Sequence, residues 1–204
     1  MAGLIAQFIR FLGIGFLNTA VDFAVLNMLM FYFGFFTGTP VGLFSAVSFL
    51  IAVSHSYFWN RYLVFKKTAE PDSISSNLSQ FIYAGTLGAL VIVLAVVGAD
   101  QQYSSVYYLG LLVLLVLGEL IFWSKFKIGQ NVPASKSRQE FFYFIIITAV
   151  GLFINASLLV LITKFVPPQF GFNQSLWTNL VKAFATGVSL IWNFSAYRVL
   201  LFKK

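Results

Sequence analysis

Six stretches of this chain, near 8–33, 41–59, 81–99, 106–123, 141–163 and 176–197, are apolar for about the twenty residues that an α-helix needs to cross the hydrocarbon of a bilayer. No other feature constrains the fold as much. The runs are continuous and do not alternate with polar residues, which excludes a membrane β-barrel. Hydrophobic residues make up 59% of the 204 positions and charged ones only 9%. A soluble domain carries about 25% charged residues, so a water-soluble globule is excluded as well. The first run is longer than a signal-peptide core and reads as a retained span. Turn chemistry separates the runs, with Gly34, Pro40, Pro71 and the Pro167-Pro168 pair in the breaks. The expected fold is an all-α membrane protein of about six transmembrane helices, forming a single transmembrane domain over 1–204.

Thirteen Lys and Arg against six Asp and Glu give a net charge of +7. This excess does not point to nucleic acid, because the cations flank the apolar runs, where they set topology and touch anionic headgroups. With six spans, Arg10, Arg61, Lys66, Lys67, Lys125, Lys127, Lys136, Arg138, Arg198, Lys203 and Lys204 fall on one side. The opposite loops carry only Lys164. The positive-inside rule then places both termini in the cytoplasm. There is no Cys, which excludes disulfides, thiolate metal sites and Cys nucleophiles.

The ends of the second and sixth spans match. Arg61-Tyr-Leu-Val-Phe-Lys-Lys67 recurs as Arg198-Val-Leu-Leu-Phe-Lys-Lys204, 137 positions on. At an offset of 133, Arg10-Phe11 stands over Tyr143-Phe144 and Asp22 over Asn155. Each unit is a helical hairpin, 1–67 and 139–204. Both enter from the same side, so they are expected to be parallel repeats about an axis along the membrane normal. The hairpin at 79–124 matches neither and reads as inserted between them.

These motifs resemble the GtrA-like family of small membrane proteins. The likeness lies in Arg10-Phe-Leu-Gly-Ile-Gly-Phe-Leu-Asn-Thr-Ala-Val-Asp22-Phe, in Trp59-Asn-Arg-Tyr-Leu-Val-Phe65, and in Lys182-Ala through Trp192-Asn-Phe to Arg198 and Phe202. It covers the two outer hairpins, about two thirds of the chain. The resemblance implies a four-helix membrane protein serving cell-surface polysaccharide synthesis. Such proteins move polyprenyl-phosphate-linked sugars to the outer leaflet or assist the glycosyltransferase that makes them. Two features depart from the family: the 79–124 hairpin is extra, and the Asn five residues before the Arg is kept as Asn193 but is Ser56 in the first repeat.

An ionised side chain at mid-membrane costs about 2.5–3.5 kcal/mol on insertion scales, so each one is informative. Asp22 lies well inside the first span, with Asn18 one turn earlier on the same face. Lys182 lies in the sixth span at a depth that allows it to pair with Asp22. Arg61 and Arg198 occupy equivalent span ends, and the planar guanidinium fork suits phosphate oxygens. Arg10 can join them, and Asn60 and Asn193 can add hydrogen bonds to phosphate or sugar hydroxyls. The expected substrate site is therefore Arg61, Arg198, Asp22, Lys182, Asn18, Asn193, Asn60 and Arg10, with no catalytic residue and no metal.

Among the remaining polar and aromatic residues, His55 reads as a hydrogen-bonded interhelical residue. Glu119 reads as structural, with Lys125 nearby. Trp59, Trp123 and Trp177 fit an interfacial belt. Gly13, Gly15, Gly85 and Gly88 offer close helix contacts.

The leading expectation is a carrier or flippase for a polyprenyl-phosphate-linked sugar in a bacterial or archaeal inner membrane, surrounded by membrane lipids and free to form a homo-oligomer. The alternatives are a membrane partner that docks or stabilises a polyprenyl-phosphate glycosyltransferase, and a small proton-coupled exporter using Asp22 or Glu119. An enzyme is not expected. No nucleotide-binding domain fits the loops, and no nucleophile–base arrangement appears. No cofactor is expected either.

Overall fold

The computed structural model describes the backbone of residues 2–59, 74–126 and 138–200, with side chains over 13–56, 59, 78–126, 146–193 and 195–196. The described residues form six helices: α1 (Ala2–Phe33), α2 (Gly38–Trp59), α3 (Ile74–Asp100), α4 (Ser105–Lys125), α5 (Arg138–Phe165) and α6 (Gln174–Leu200). Each apolar run is a helix, and most run a few residues past the apolar limits. Backbone hydrogen bonding continues into polar flanks, so hydropathy alone sets the boundaries too tightly.

Among the described residues, five helices are long and apolar enough to cross a membrane. The exception is α6, and the reason lies in its residues. Ser175, Thr178, Asn179, Lys182, Thr186, Ser189 and Asn193 recur at helical spacing and form one polar stripe along it. Most of that stripe is buried against the other helices.

Pair contacts fix the direction of each helix. Gly13 lies against Phe81 and Ala84, and Gly88 against Phe16, so α1 and α3 run parallel. Gly38 N donates to Thr163 Oγ1 and Ser45 to Asn155, so α2 and α5 are antiparallel. Gly98 meets Tyr107 while Gly118 meets Leu87, which makes α3–α4 a hairpin. The short turns after α1, α3 and α5 therefore share one end of the bundle, the turn end. The starts of α1, α3 and α5 and the ends of α2, α4 and α6 share the other, the terminal end. At the α1–α2 turn, Gly34 and Gly38 adopt φ of +73° and +70°, a backbone conformation open to glycine at little cost.

α1 is the central helix. Leu17, Ala20, Phe23, Ala24 and Leu26 on it are buried, packed by α2, α3 and α4, while α5 packs on α2, and α6 closes the bundle against α5 and α3. Lipid gives no hydrophobic drive for helix association, so close backbone approach supplies the dispersion contact. A Cβ on Gly88 would lie 2.6 Å from the carbonyl carbon of Phe16 and 2.7 Å from its oxygen. Of the four glycines singled out from the sequence, Gly13 and Gly88 make such approaches. Gly15 has nothing within 4 Å, and Gly85 touches only the Phe16 ring, at 3.9 Å.

Gly88→Ala must push α1 from α3 backbone to backbone, and overpacking of this kind costs about 1–3 kcal/mol. Gly110→Ala, where nothing lies within 4 Å, is expected to be neutral. Denaturant unfolding of both variants in detergent micelles checks the contrast.

Candidate functional site

Four helices meet at Lys182. Its Nζ lies 2.8 Å from Asp22 Oδ2 on α1, and it donates to Ser45 Oγ on α2 at 2.9 Å and to Asn155 Oδ1 on α5 at 2.8 Å. An ammonium has three protons, and here each has an acceptor on a different helix. Lys182 is 0% exposed and Asp22 3%. The second carboxylate oxygen of Asp22 accepts from Ser48 Oγ, one turn along α2 from Ser45. Ser45 Oγ donates to Asn155 Oδ1 at 3.0 Å, and Asn155 Nδ2 donates to Thr186 Oγ1 at 3.2 Å.

Polar layers continue to either side of this knot. Toward the turn end, Asn27 and Asn179 exchange two hydrogen bonds of 2.7 Å. Each amide also donates to its own helix, at Phe23 O and Ser175 O, so both are fully used. At the turn end itself Asn173 caps α6, accepting from Leu176 N at 2.8 Å, and donates to Asp100 O at 2.8 Å. Ser175 Oγ donates to Ala99 O. Toward the terminal end, Asn18 sits one turn from Asp22, and Asn193 lies against Gly151, which is one turn from Asn155. The Oδ1 atoms of Asn18 and Asn193 are buried and accept no hydrogen bond among the described residues.

The structure thus brings Asp22 and Lys182 together and puts Asn18 and Asn193 on the same column. Arg10 and Arg198 fall within α1 and α6, with their side chains outside the described residues. Arg61 and Asn60 lie outside the described residues altogether. Ser45, Ser48, Thr186, Asn27 and Asn179 were not singled out from the sequence, and Asn155 only as the counterpart of Asp22 in the second hairpin. The helical spacing of polar residues in α6 is the signal that finds its share of them.

A second polar cluster joins α2 to α4. His55 Nε2 lies 2.7 Å from Glu119 Oε1. The Trp59 indole N–H lies 2.9 Å from His55 Nε2 and 3.3 Å from Glu119 Oε2. His55 is the interhelical residue expected, but two details differ from the sequence reading. Trp59 is 3% exposed and packs on Phe122 and Trp123 instead of joining an interfacial belt. Lys125 does not approach Glu119, because six residues separate them by about 240° around the helix. Its ammonium lies over the Tyr83 and Phe126 rings, 5.8 and 5.6 Å from their centroids.

Long apolar helices around a buried polar column define a multi-pass helical membrane protein. The family described as GtrA/DPMS, transmembrane domain, matches residues 10–128. That is more than half of the chain, and the chain belongs to this family. The matched stretch takes in α1 to α4, including the hairpin that the sequence suggests is extra to the family, and leaves out α5 and α6. Phe122-Trp123-Ser-Lys125 at the end of α4 parallels Phe58-Trp59-Asn-Arg61 at the end of α2, a likeness that the comparison of the outer hairpins passes over. Comparison with curated proteins and with solved structures yields no match.

Removing one partner of a buried ion pair leaves an uncompensated charge and costs about 3–5 kcal/mol. Lys182→Met is expected to destabilise the protein by that amount, and adding Asp22→Asn to recover much of it. A double-mutant cycle read by unfolding in micelles checks both.

Proposed function

We propose that this protein is a carrier that moves a polyprenyl-phosphate-linked sugar across a bacterial or archaeal inner membrane. The observation that carries this reading is the polar column running between the hairpins from Asn18 and Asn193 to the turn end, in a chain of the GtrA/DPMS family. Buried polar groups are expensive in hydrocarbon and mark pathways where they persist. The terminal end, with its cluster of Lys and Arg, faces the cytoplasm, and α6 spans with the other five helices.

The outer hairpins act as parallel repeats. Two sets of contacts support this: Asp22 with Lys182 corresponds to Asn155 with Ser45, and Asn27 with Asn179 corresponds to Val160 with Gly42. In each case the correspondence follows the offsets of 133 and 137 found in the sequence. Arg61 and Arg198, with Arg10 and Asn60 beside them, receive the lipid phosphate at the cytoplasmic leaflet. The phosphate then replaces the Asp22 carboxylate on Lys182 while Ser48 retains Asp22, so that only the headgroup enters the protein and the tail stays in lipid. This exchange pairs the phosphate with a cation, which a bare transfer into hydrocarbon does not, and leaves the Asp22 carboxylate held by Ser48 alone.

A second reading, a membrane partner that docks or stabilises a polyprenyl-phosphate glycosyltransferase, is favoured by the family being described as a transmembrane domain. A leaflet-resolved assay in proteoliposomes separates the two. The carrier reading expects labelled polyprenyl phosphosugar to appear at the far leaflet, with the rate lowered at least tenfold in Asp22→Asn, Lys182→Met, Arg61→Ala and Arg198→Ala. No translocation by the isolated protein, together with co-purification of a glycosyltransferase, favours the partner reading.

A further inference from the structure

The polar column is paired at the Asp22–Lys182 knot and at the Asn27–Asn179 layer, and unpaired acceptors remain one turn toward the terminal end of the knot. Asn18 lies on the Asp22 face of α1, and Gly151 on the Asn155 face of α5. Since Lys182 bridges Asp22 and Asn155, Asn18 and Gly151 flank the same interface from opposite hairpins. A Cβ on Gly151 would meet Asn193 Oδ1 at 2.5 Å and Nδ2 at 3.1 Å, so the missing side chain is what gives the Asn193 amide its place. Both carbonyl oxygens, Asn18 Oδ1 and Asn193 Oδ1, are buried and receive no donor among the described residues.

We infer that Asn18, Gly151 and Asn193 form a subsite that reads the sugar of the carried lipid through its hydroxyl or amino hydrogen-bond donors. The chemistry of the orphaned atoms selects the ligand class. A phosphate diester offers only acceptors and cannot satisfy a carbonyl oxygen, whereas a sugar hydroxyl or amine donates to it. A buried acceptor left without a donor is costly, so the sugar's contact here is realised only when the glycosylated lipid is present. The subsite also explains the paired differences between the hairpins. Asn18 stands where the second hairpin has Gly151, and Asn193 where the first has Ser56. One amide is thus presented by each hairpin, on α1 in the first and on α6 in the second.

The inference rests on the carrier reading, and the test separates the two. Full-length protein in proteoliposomes is given a panel of fluorescent short-chain polyprenyl phosphohexoses, a polyprenyl phosphoaminopentose, and the same polyprenyl phosphate without sugar. Wild type is expected to move at least one glycosylated lipid faster than the bare phosphate. Asn18→Leu, Asn193→Ser and Gly151→Ala are each expected to lower that preference, read as the ratio of the two rates, about tenfold, the worth of one hydrogen bond. Lys182→Met slows both lipids alike. If Gly151→Ala fails to fold, Asn193→Ser, which shortens the side chain and removes the amide, still reports. An unchanged preference in these variants means that water fills the site and overturns the subsite alone. A wild type that moves both lipids equally also overturns the subsite alone. A wild type that moves neither overturns the carrier reading and the subsite with it.

Discussion

A single ammonium with three protons governs how this bundle assembles. Lys182 finds its acceptors on α1, α2 and α5, one from each, so no subset of these helices satisfies it. An unpaired cation in hydrocarbon is too costly to tolerate, and the two hairpins are therefore bound to each other by a requirement for complete pairing. Asp22 neutralises the charge, Ser48 holds the carboxylate from its other side, and Asn155 extends the network to Thr186. The pair itself is weak support for net stability, because desolvation offsets most of its attraction. What it enforces is one relative placement of four helices.

The bundle holds together by two different kinds of contact. Around α1, the α3–α4 hairpin is fitted by close approach: Gly13 and Gly88 at α1–α3, and Gly98 and Gly118 within the hairpin itself. Such contacts depend on shape and leave little room for rearrangement. Between α1 and α6 the contacts are polar, formed by the ion pair and the Asn27–Asn179 amides. Hydrogen bonds of this sort can be exchanged for others of equal number, which packed surfaces cannot. A fixed half beside an exchangeable half suits the carrier that we propose.

The helices were legible because an apolar run of about twenty residues has few alternatives in a membrane protein. Asp22 and Lys182 were legible for the converse reason: charges stand out where charge is scarce. Their company was harder to see. Ser45, Ser48 and Asn155 carry no charge and are ordinary in membrane helices, and only three-dimensional proximity marks them as the ammonium's acceptors. Asn18 and Asn193 were found through motif and position, whereas the unpaired state of their oxygens is a property of the folded interface. Trp59 was misplaced because an aromatic near a span end usually anchors to the interface. Here His55 and Glu119 lie close to its N–H and make burial tolerable. Glu119 and Lys125 looked like neighbours by number, but helical geometry separates them.

The inward polar stripe of α6 has a consequence for biogenesis. A segment carrying Asn179, Lys182 and Asn193 partitions poorly from the insertion machinery into lipid on its own. Its entry into the bilayer therefore waits for partners already in place, and α1, α2 and α5, which hold the ammonium's acceptors, all precede it in the order of synthesis. The helix least suited to the membrane is thus translated after the helices that hold its ligands.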